Sequence, residues 1–180
     1  MTKYKKIKEE LIIDNGFRKI ISKDFDDGNG IIDSYFISSH IGTNYGTMIF
    51  PITRDNEVIY IKEYRFGIED YLYSFPVGKQ ELDLDIEENA KKELEEETGY
   101  IGGEITYLGE TIVANYDQNL VKYFLALDVY LGSKQELDSG ESIEVFKCST
   151  DEFEEKIKSG LINCPLTITC YTLAKLKGYV

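Results

Sequence analysis

The segment GKQELDLDIEENAKKELEEETGY, residues 78–100, contains the strongest local signal in the chain. Asp85 is suited to cap the start of a helix, and Glu88 follows three residues later, as in a capping box. Gly99 is suited to the left-handed conformation that commonly ends a helix. We therefore predict a helix over residues 86–98.

Two stripes of side chains run along this predicted helix. An apolar stripe with a spacing of four residues indicates a face packed on a core, and it consists of Ile86, Ala90 and Leu94. An acidic stripe gathers like charges on one side, and it consists of Glu93, Glu96 and Glu97. In a chain with 33 acidic residues such a stripe is typical of a solvated face. Alternatively, its hard oxygen donors bind Mg²⁺ or Mn²⁺ and leave coordination positions for phosphate oxygens.

Composition limits the function classes. With 180 residues, 42% of them hydrophobic, the chain is expected to bury one main core and to have room for a small appendage. The net charge of -13 argues against a nucleic-acid interface, which needs clustered Lys and Arg. An anionic ligand would need help from a cation.

Neither cysteines nor apolar runs indicate an extracellular or membrane protein. The three cysteines (Cys148, Cys164 and Cys170) are odd in number and lack metal-ligand spacing. The N-terminus MTKYKKIKEELIID is charged throughout, and no apolar run approaches the length of a membrane span. We therefore expect a soluble, cytoplasmic protein with reduced thiols and no membrane partner.

The remaining patterns predict a layered domain of strands and helices. Residues 5–41 alternate polar and apolar side chains around a turn at 25–30, which indicates short antiparallel strands. The other predicted strands are the hairpin 46–53 and 58–66 with its turn at 54–57, then 105–113 and 120–131. Two later helices are predicted in 149–160 and 165–178, with Ser149 or Thr150 as the N-cap of the first and Pro165 beginning the second.

Residues 78–100 resemble the Nudix box, G-x5-E-x7-R-E-U-x-E-E-x-G-U, in which U is an aliphatic or bulky apolar residue. The matching positions are Gly78, Glu93, Leu94, Glu96, Glu97, Gly99 and Tyr100. Two positions depart from the pattern, because Leu84 replaces a Glu and Lys92 replaces an Arg. In the family these two groups pair and brace the loop against the helix, so their joint change implies the loss of one ion pair.

Residues 63–78, EYRFGIEDYLYSFPVG, extend the resemblance to the ADP-ribose pyrophosphatase branch of the family. Arg65 stands where an arginine helps to position substrate, and Val77 stands where a main-chain carbonyl joins the metal site. Gly78 supplies a tight turn that brings the backbone close to the site. Ser74 replaces the Glu of an E-L-P-A-G motif, so one carboxylate is missing.

Downstream, residues 137–153 resemble the family's acidic loop, which carries a catalytic Glu and precedes a strand and a helix. Glu141 is the preferred match for that catalytic residue and Glu144 the second. Residues 115–117 occupy a position where members of the family contact ribose or phosphate, but the family's S-P-G-like sequence is absent there.

The resemblance implies an α/β fold, an α/β/α sandwich around a mixed sheet. Residues 1–44 would form a small antiparallel N-terminal sheet and residues 45–180 the Nudix domain, with a homodimer expected by analogy.

The resemblance also implies metal-dependent hydrolysis of a nucleoside diphosphate linked to another group, giving a nucleoside monophosphate and a phosphorylated product. ADP-ribose is the first candidate substrate and nucleotide sugars the next. Glu93 and Glu97 would be direct metal ligands and catalytic, and Glu96 would bridge a second ion or act through water. Mg²⁺ or Mn²⁺ would be the cofactor. The three departures at Ser74, Leu84 and Lys92 keep a second hypothesis open, a Nudix-fold module that binds or senses a nucleotide without cleaving it.

Overall fold

The computed structural model describes residues 4–16, 18–40 and 45–180. Eleven strands and three helices lie within them. The strands are β1 Lys5–Asp14, β2 Arg18–Asp26, β3 Ile31–His40, β4 Tyr45–Thr53, β5 Glu57–Arg65, β6 Asp70–Ser74, β7 Val77–Lys79, β8 Tyr100–Ile101, β9 Glu104–Ile112, β10 Leu120–Leu131 and β11 Ile143–Ser149. The helices are α1 Ile86–Thr98, α2 Thr150–Lys158 and α3 Pro165–Leu176.

The chain forms two compact units. The N-terminal unit comprises Met1–Tyr45 and Ile112–Leu120, and the sheet-helix unit comprises Gly46–Thr111 and Val121–Val180. Segment 112–120, which the sequence placed with the Nudix domain, is therefore grouped with the N-terminal residues. The predicted boundary after residue 44 falls on residues 41–44, which lie outside the described residues.

The N-terminal unit is an antiparallel sheet with the strand order β1-β2-β3. Ser38 on β3 joins this sheet to the segment 112–120: its N–H donates to the Tyr116 carbonyl at 2.9 Å and its carbonyl accepts from Gln118 N at 3.0 Å. Its hydroxyl also bonds Asp117 Oδ2 at 2.5 Å. The antiparallel strands predicted for this region are confirmed over the described residues.

The sheet-helix unit is built on a mixed eight-stranded sheet with the central order β11-β5-β4-β10-β8. Side chains alternate between its two faces, as they must along a strand. On β4 and β5, Ile49 and Ile59 pack on the face that holds α1, while Phe50 and Tyr60 pack on the face that holds α2 and α3. The α/β/α sandwich expected from the sequence is confirmed.

Stacked aromatic rings fill the α2 and α3 side of the core. The Phe50 and Phe75 ring centroids lie 4.6 Å apart, and those of Phe75 and Phe153 lie 5.0 Å apart. Tyr171 of α3 closes the stack at 5.4 Å from Phe153. Rings from strand β4, from the connection between β6 and β7, and from two helices therefore share one packed layer, which fixes α2 and α3 against the sheet.

Helix caps match the sequence except at one residue. Asp85 caps α1 by accepting from Glu87 N at 2.9 Å, and Gly99 ends it at a φ of 74°. The capping box predicted for Glu88 is wrong, because its carboxylate instead pairs with Lys91 at 2.7 Å, one turn along the helix. Ser149, one of the two residues predicted as the α2 cap, forms a complete capping box with Glu152.

The predicted hairpin and the later strands are confirmed, with β4 and β5 joined by a turn at 54–56. The sequence missed β6, β7 and β8, which are five, three and two residues long. Strands this short have too few residues for alternation to be recognised. Their positions matter for function, because β7 contains Val77 and Gly78.

The aromatic layer predicts a large stability effect at Phe153, which is fully buried. We expect Phe153→Ala to lower the free energy of unfolding by about 3–5 kcal/mol, because it removes buried ring surface and leaves a cavity. The matched control is Phe66→Ala, since Phe66 is 78% exposed, and this change should stay within about 0.5 kcal/mol. Urea unfolding followed by circular dichroism measures both, and equal losses would contradict the packing described here.

Candidate active site

The packing of the apolar stripe of α1 on the sheet fixes where the acidic stripe of the same helix lies. Ala90 and Leu94 are buried against Ile49, Ile59 and Phe124 of the sheet. The predicted stripe is therefore confirmed as the packed face. A helix fixed in this way has little freedom to turn its carboxylates into solvent.

Glu97 is the most enclosed carboxylate of the stripe. Only 5% of the residue is exposed, and its Oε2 accepts a hydrogen bond from Val77 N of β7 at 3.1 Å. Burial raises the pKa of Glu97 well above its ordinary value, and the nearby charge of Glu93 adds to the rise. Val77, predicted at the site through its carbonyl, contacts Glu97 through its N–H.

Glu93 lies directly against the backbone of Gly78. A Cβ atom at position 78 would come within 1.8 Å of Glu93 Cδ, so any other residue would displace this carboxylate from where it lies. Burial, followed by the charge of Glu96, raises the pKa of Glu93 to about 7. The first glycine of the box thus lets the half-buried Glu93 carboxylate lie against the backbone of β7, and the same strand contacts buried Glu97 through Val77 N.

Glu96 occupies a different environment from Glu93 and Glu97. Its carboxylate forms an ion pair with Lys92 at 3.3 Å and remains about one-third exposed. The three glutamates are neighbours on one helix, but two are enclosed and the third is neutralised at the edge.

The loop between β7 and α1 remains braced despite the two departures from the box. Lys92 Nζ pairs with Glu81 Oε1 at 2.5 Å, so the loss of an ion pair expected from Leu84 and Lys92 is wrong. The partner has moved three residues along the loop. Buried Asn89 adds a second brace, because its amide bonds Thr47 Oγ1 at 2.8 Å and accepts from Glu81 N at 2.9 Å.

Strand β5 adds a carboxylate that the sequence did not single out. Glu63 is 8% exposed, and its Oε2 lies 2.7 Å from Arg65 Nη2, as an ion pair without hydrogen-bond alignment. Burial raises the pKa of Glu63 while Arg65 lowers it, and the charges of both residues also act on Glu97. Arg65, predicted to bind substrate, is therefore close to the enclosed pair. The sequence could have indicated this residue, because Glu63 comes two residues after Ile61. Alternation along the strand therefore turns both side chains to the face that packs on the core.

Ser74 lies on the same face of the sheet, opposite Ile61 in the β5 and β6 pairing. It is buried and contributes no carboxylate. Glu63 follows Ile61 on that face, so a carboxylate is present two pairs further along the ladder.

The two candidates in the acidic loop lie in different places. The charge of Glu141 raises the pKa of both Glu93 and Glu63, so Glu141 faces the side of the site that these two residues form. Glu144 instead pairs across the ladder with Lys62 and forms an ion pair with it at 3.3 Å. Since Lys62 and Glu63 point to opposite faces of β5, the structure does not bring Glu144 to Glu93 and Glu97.

The donor chemistry of the enclosed pair suits a hard divalent cation. Glu93 and Glu97 offer carboxylate oxygens, and their burial and mutual repulsion favour either a proton or a positive ion between them. Among the residues that the structure describes, no group of three or more His, Cys, Asp or Glu is already arranged to hold a metal ion. The enclosed carboxylates fit a cation by type and charge, and coordination would require their side chains to reorient.

Comparison with known proteins agrees with this architecture. The family described as NUDIX domain matches residues 42–163, and the chain therefore belongs to the Nudix family. Members of this family generally use divalent metal ions. In the described residues no helix is long and apolar enough to cross a membrane.

Three relatives illustrate the similarity. An ADP-ribose pyrophosphatase of Bacillus subtilis (strain 168) is 27% identical over 86% of this chain and 83% of its own length. A methanol dehydrogenase activator of Bacillus methanolicus is 26% identical over 96% of this chain and 93% of its own length. The crystal structure of an ADP compounds hydrolase superposes with a TM-score of 0.82 at 23% identity, covering 99% of this chain and 97% of that one. The predicted resemblance to the ADP-ribose pyrophosphatase-like branch and the prediction of a Nudix pyrophosphohydrolase are confirmed.

The raised pKa of Glu93 predicts a pH-dependent stability of the metal-free protein. Because its pKa rises from an ordinary 4.5 to about 7, the native state holds a proton that the unfolded state has already lost between these values. Stability should therefore fall as pH rises from 5 to 8, by at most about 3 kcal/mol from this group.

Glu93→Gln should remove the part of this slope that Glu93 contributes, and the raised pKa values of Glu97 and Glu63 should keep the rest. The matched change Glu95→Gln, on the exposed side of α1, should leave the whole slope intact. Urea unfolding in EDTA at several pH values measures the effect. A wild-type protein that becomes more stable between pH 5 and 8, or an unchanged slope in Glu93→Gln, would contradict the burial described.

Proposed function

We propose that the protein hydrolyses the diphosphate bond of a nucleoside diphosphate linked to another group, using Mg²⁺ or Mn²⁺. ADP-ribose is the first candidate substrate and nucleotide sugars follow. The observation that supports this most is the pair of carboxylates formed by half-buried Glu93 and buried Glu97, which lie against the backbone of Val77 and Gly78. Two like charges in a low-dielectric position cost stability unless a cation joins them.

A divalent ion bound there would neutralise phosphate charge and lower the pKa of an attacking water. Glu93 and Glu97 would hold the ion, with Glu96 free to join a second one after releasing Lys92. The absence of a Cβ atom at Gly78 gives the Glu93 carboxylate room beside the backbone. The chain thus supplies the negative charges that would hold the metal ion, and the metal ion would in turn bind the anionic substrate.

Arg65 provides a positive charge for that substrate. Its guanidinium is partly exposed while its partner Glu63 is buried, so the donors away from Glu63 face outward. Guanidinium groups bind phosphate oxygens in a fixed geometry. We propose that Glu63 orients Arg65 and that Arg65 binds the diphosphate.

Glu141 is the proposed carboxylate for orienting or deprotonating the water. Its charge reaches both Glu93 and Glu63, and its own Oε2 accepts from Asp138 N at 3.0 Å within the loop. Glu144 is not retained for this role, because its ion pair with Lys62 lies on the other face of β5.

Product formation from a substrate panel tests the proposal. The panel contains ADP-ribose, nucleotide sugars, dinucleotides and nucleoside triphosphates, each with Mg²⁺ or Mn²⁺ and with EDTA. We expect metal-dependent release of a nucleoside monophosphate, with Glu97→Gln lowering kcat by at least about 100-fold through loss of a metal ligand. The matched control Glu95→Gln should stay within about twofold of wild type.

Saturable binding of a panel compound without turnover in either metal would contradict hydrolysis. It would favour the second hypothesis, a nucleotide-binding or sensor module. Equal activity of wild type and Glu97→Gln would contradict the site assignment while leaving hydrolysis in place.

We further propose that the N-terminal unit mediates homodimerisation. Its sheet exposes large apolar side chains, including Leu11 at 54%, Ile13 at 54% and Phe36 at 56%, an arrangement that favours a protein partner.

Light scattering should give a dimeric mass that falls to the monomer in the double variant Leu11→Lys, Ile13→Lys. The control Leu176→Lys, at an exposed apolar residue of α3, should remain dimeric, and a monomeric wild type would contradict the proposal. The cytoplasmic location stays a prediction.

A further inference from the structure

The loop that contains Glu141 begins by capping the helix that contains the enclosed glutamates. The last carbonyl groups of a helix have no hydrogen-bond donor within the helix. The last turn of α1 contains no basic side chain that could donate to them. The segment after β10 supplies them: Ser133 N donates to the Gly99 carbonyl at 3.1 Å, and Glu136 N donates to the Glu96 carbonyl at 3.0 Å. This backbone contact sets where the loop starts.

Gln135 ties the start of the loop to its end. Its side-chain Nε2 donates to the Glu97 carbonyl at 2.7 Å and also to the Ile143 carbonyl at 3.3 Å. The first carbonyl belongs to the enclosed glutamate of α1, and the second belongs to the first residue of β11. One amide group therefore closes the base of the loop 136–142.

The closed loop holds Glu141 near its far end. Within it, Glu141 N donates to the Asp138 carbonyl at 3.1 Å, and Asp138 N donates to Glu141 Oε2 at 3.0 Å. These contacts form a small turn, while the hydrogen bonds shown between this part of the described chain and the C-terminal end of α1 come from segment 132–136. The position of Glu141 relative to Glu97 is therefore set at the loop base.

We propose that Gln135 is a positioning residue for the hydrolytic reaction, because its amide joins the Glu97 carbonyl to the loop that presents Glu141. The inference rests on the proposed function. Gln135 itself is exposed, so its side chain adds little to the core. Its two hydrogen bonds fix the position of the Glu141 carboxylate. Displacement of such a group by a fraction of an ångström slows a reaction strongly.

The test replaces Gln135 by Met, which has a similar length but no donor. We expect Gln135→Met to lower kcat by about 10- to 100-fold, with KM within about twofold because Arg65 is untouched. Lys134→Ala, at the exposed neighbouring residue, is the matched control and should behave as wild type. Hydrogen exchange of the loop 136–143 should become faster in Gln135→Met and stay unchanged in Lys134→Ala.

A double-mutant cycle with Glu141→Gln separates positioning from a general structural effect. If Gln135 acts through Glu141, then Gln135→Met should have no further effect on kcat in the Glu141→Gln background. An equal effect of Gln135→Met in both backgrounds would overturn the proposal. So would wild-type kcat in Gln135→Met.

The exchange measurement keeps this inference distinct from the proposed function. If the wild type turns over no substrate, the hydrolytic proposal fails and this role fails with it, whereas faster loop exchange would still establish the tether. Turnover by the wild type with unchanged loop exchange in Gln135→Met would overturn the inference alone. If Gln135→Met does not fold, Gln135→Asn, which keeps the amide but shortens its reach, replaces it with the same expected outcomes.

Discussion

The enclosure of two like-charged carboxylates, half-buried Glu93 and buried Glu97, beside a glycine backbone is the constraint on which the rest of the structure depends. Glu93 and Glu97 are one turn apart on α1 and cannot separate while the apolar stripe of that helix is docked on the sheet. Burial alone favours their protonated forms, since it raises the pKa of both carboxyl groups. A cation relieves the same repulsion and leaves both ionised, which suits chemistry on an anionic substrate.

Several elements far apart in sequence hold this arrangement. Strand β7 brings Val77 and Gly78 to the two glutamates, and Asn89 and Lys92 fix the loop that joins β7 to α1. At the other end of α1, the segment 132–136 caps the helix. Contacts at the N-terminal end, along the packed face and at the C-terminal end therefore hold α1 in place. Such support is expected where the positions of repelling side chains must be fixed.

Local patterns in the sequence predicted much of this. Helix α1 follows from Asp85, Gly99 and the apolar spacing, and the prediction matches the observed bounds. The hairpin of β4 and β5 follows from two apolar runs around a polar turn. Such features depend on neighbours within a few residues, which a single sequence displays directly.

What the sequence did not predict depends on contacts between distant residues. The partner of Lys92 is Glu81 and not a residue at position 84, because a loop can offer its carboxylate from more than one position. Glu144 has the right residue type and lies three residues from Glu141, yet its pairing with Lys62 turns it to the other face. The sequence shows the charge of Glu63 but not the enclosure that makes it part of the site.

Anomalous diffraction from crystals grown with Mn²⁺ tests the central claim most directly. The account predicts a manganese peak bonded to carboxylate oxygens of Glu93 and Glu97 at about 2.0–2.3 Å, typical of hard-cation coordination. The peak should disappear in Glu97→Gln. A manganese ion bound only elsewhere, or the two carboxylates remaining protonated and metal-free at millimolar Mn²⁺, would contradict the claim that their burial exists to hold a cation.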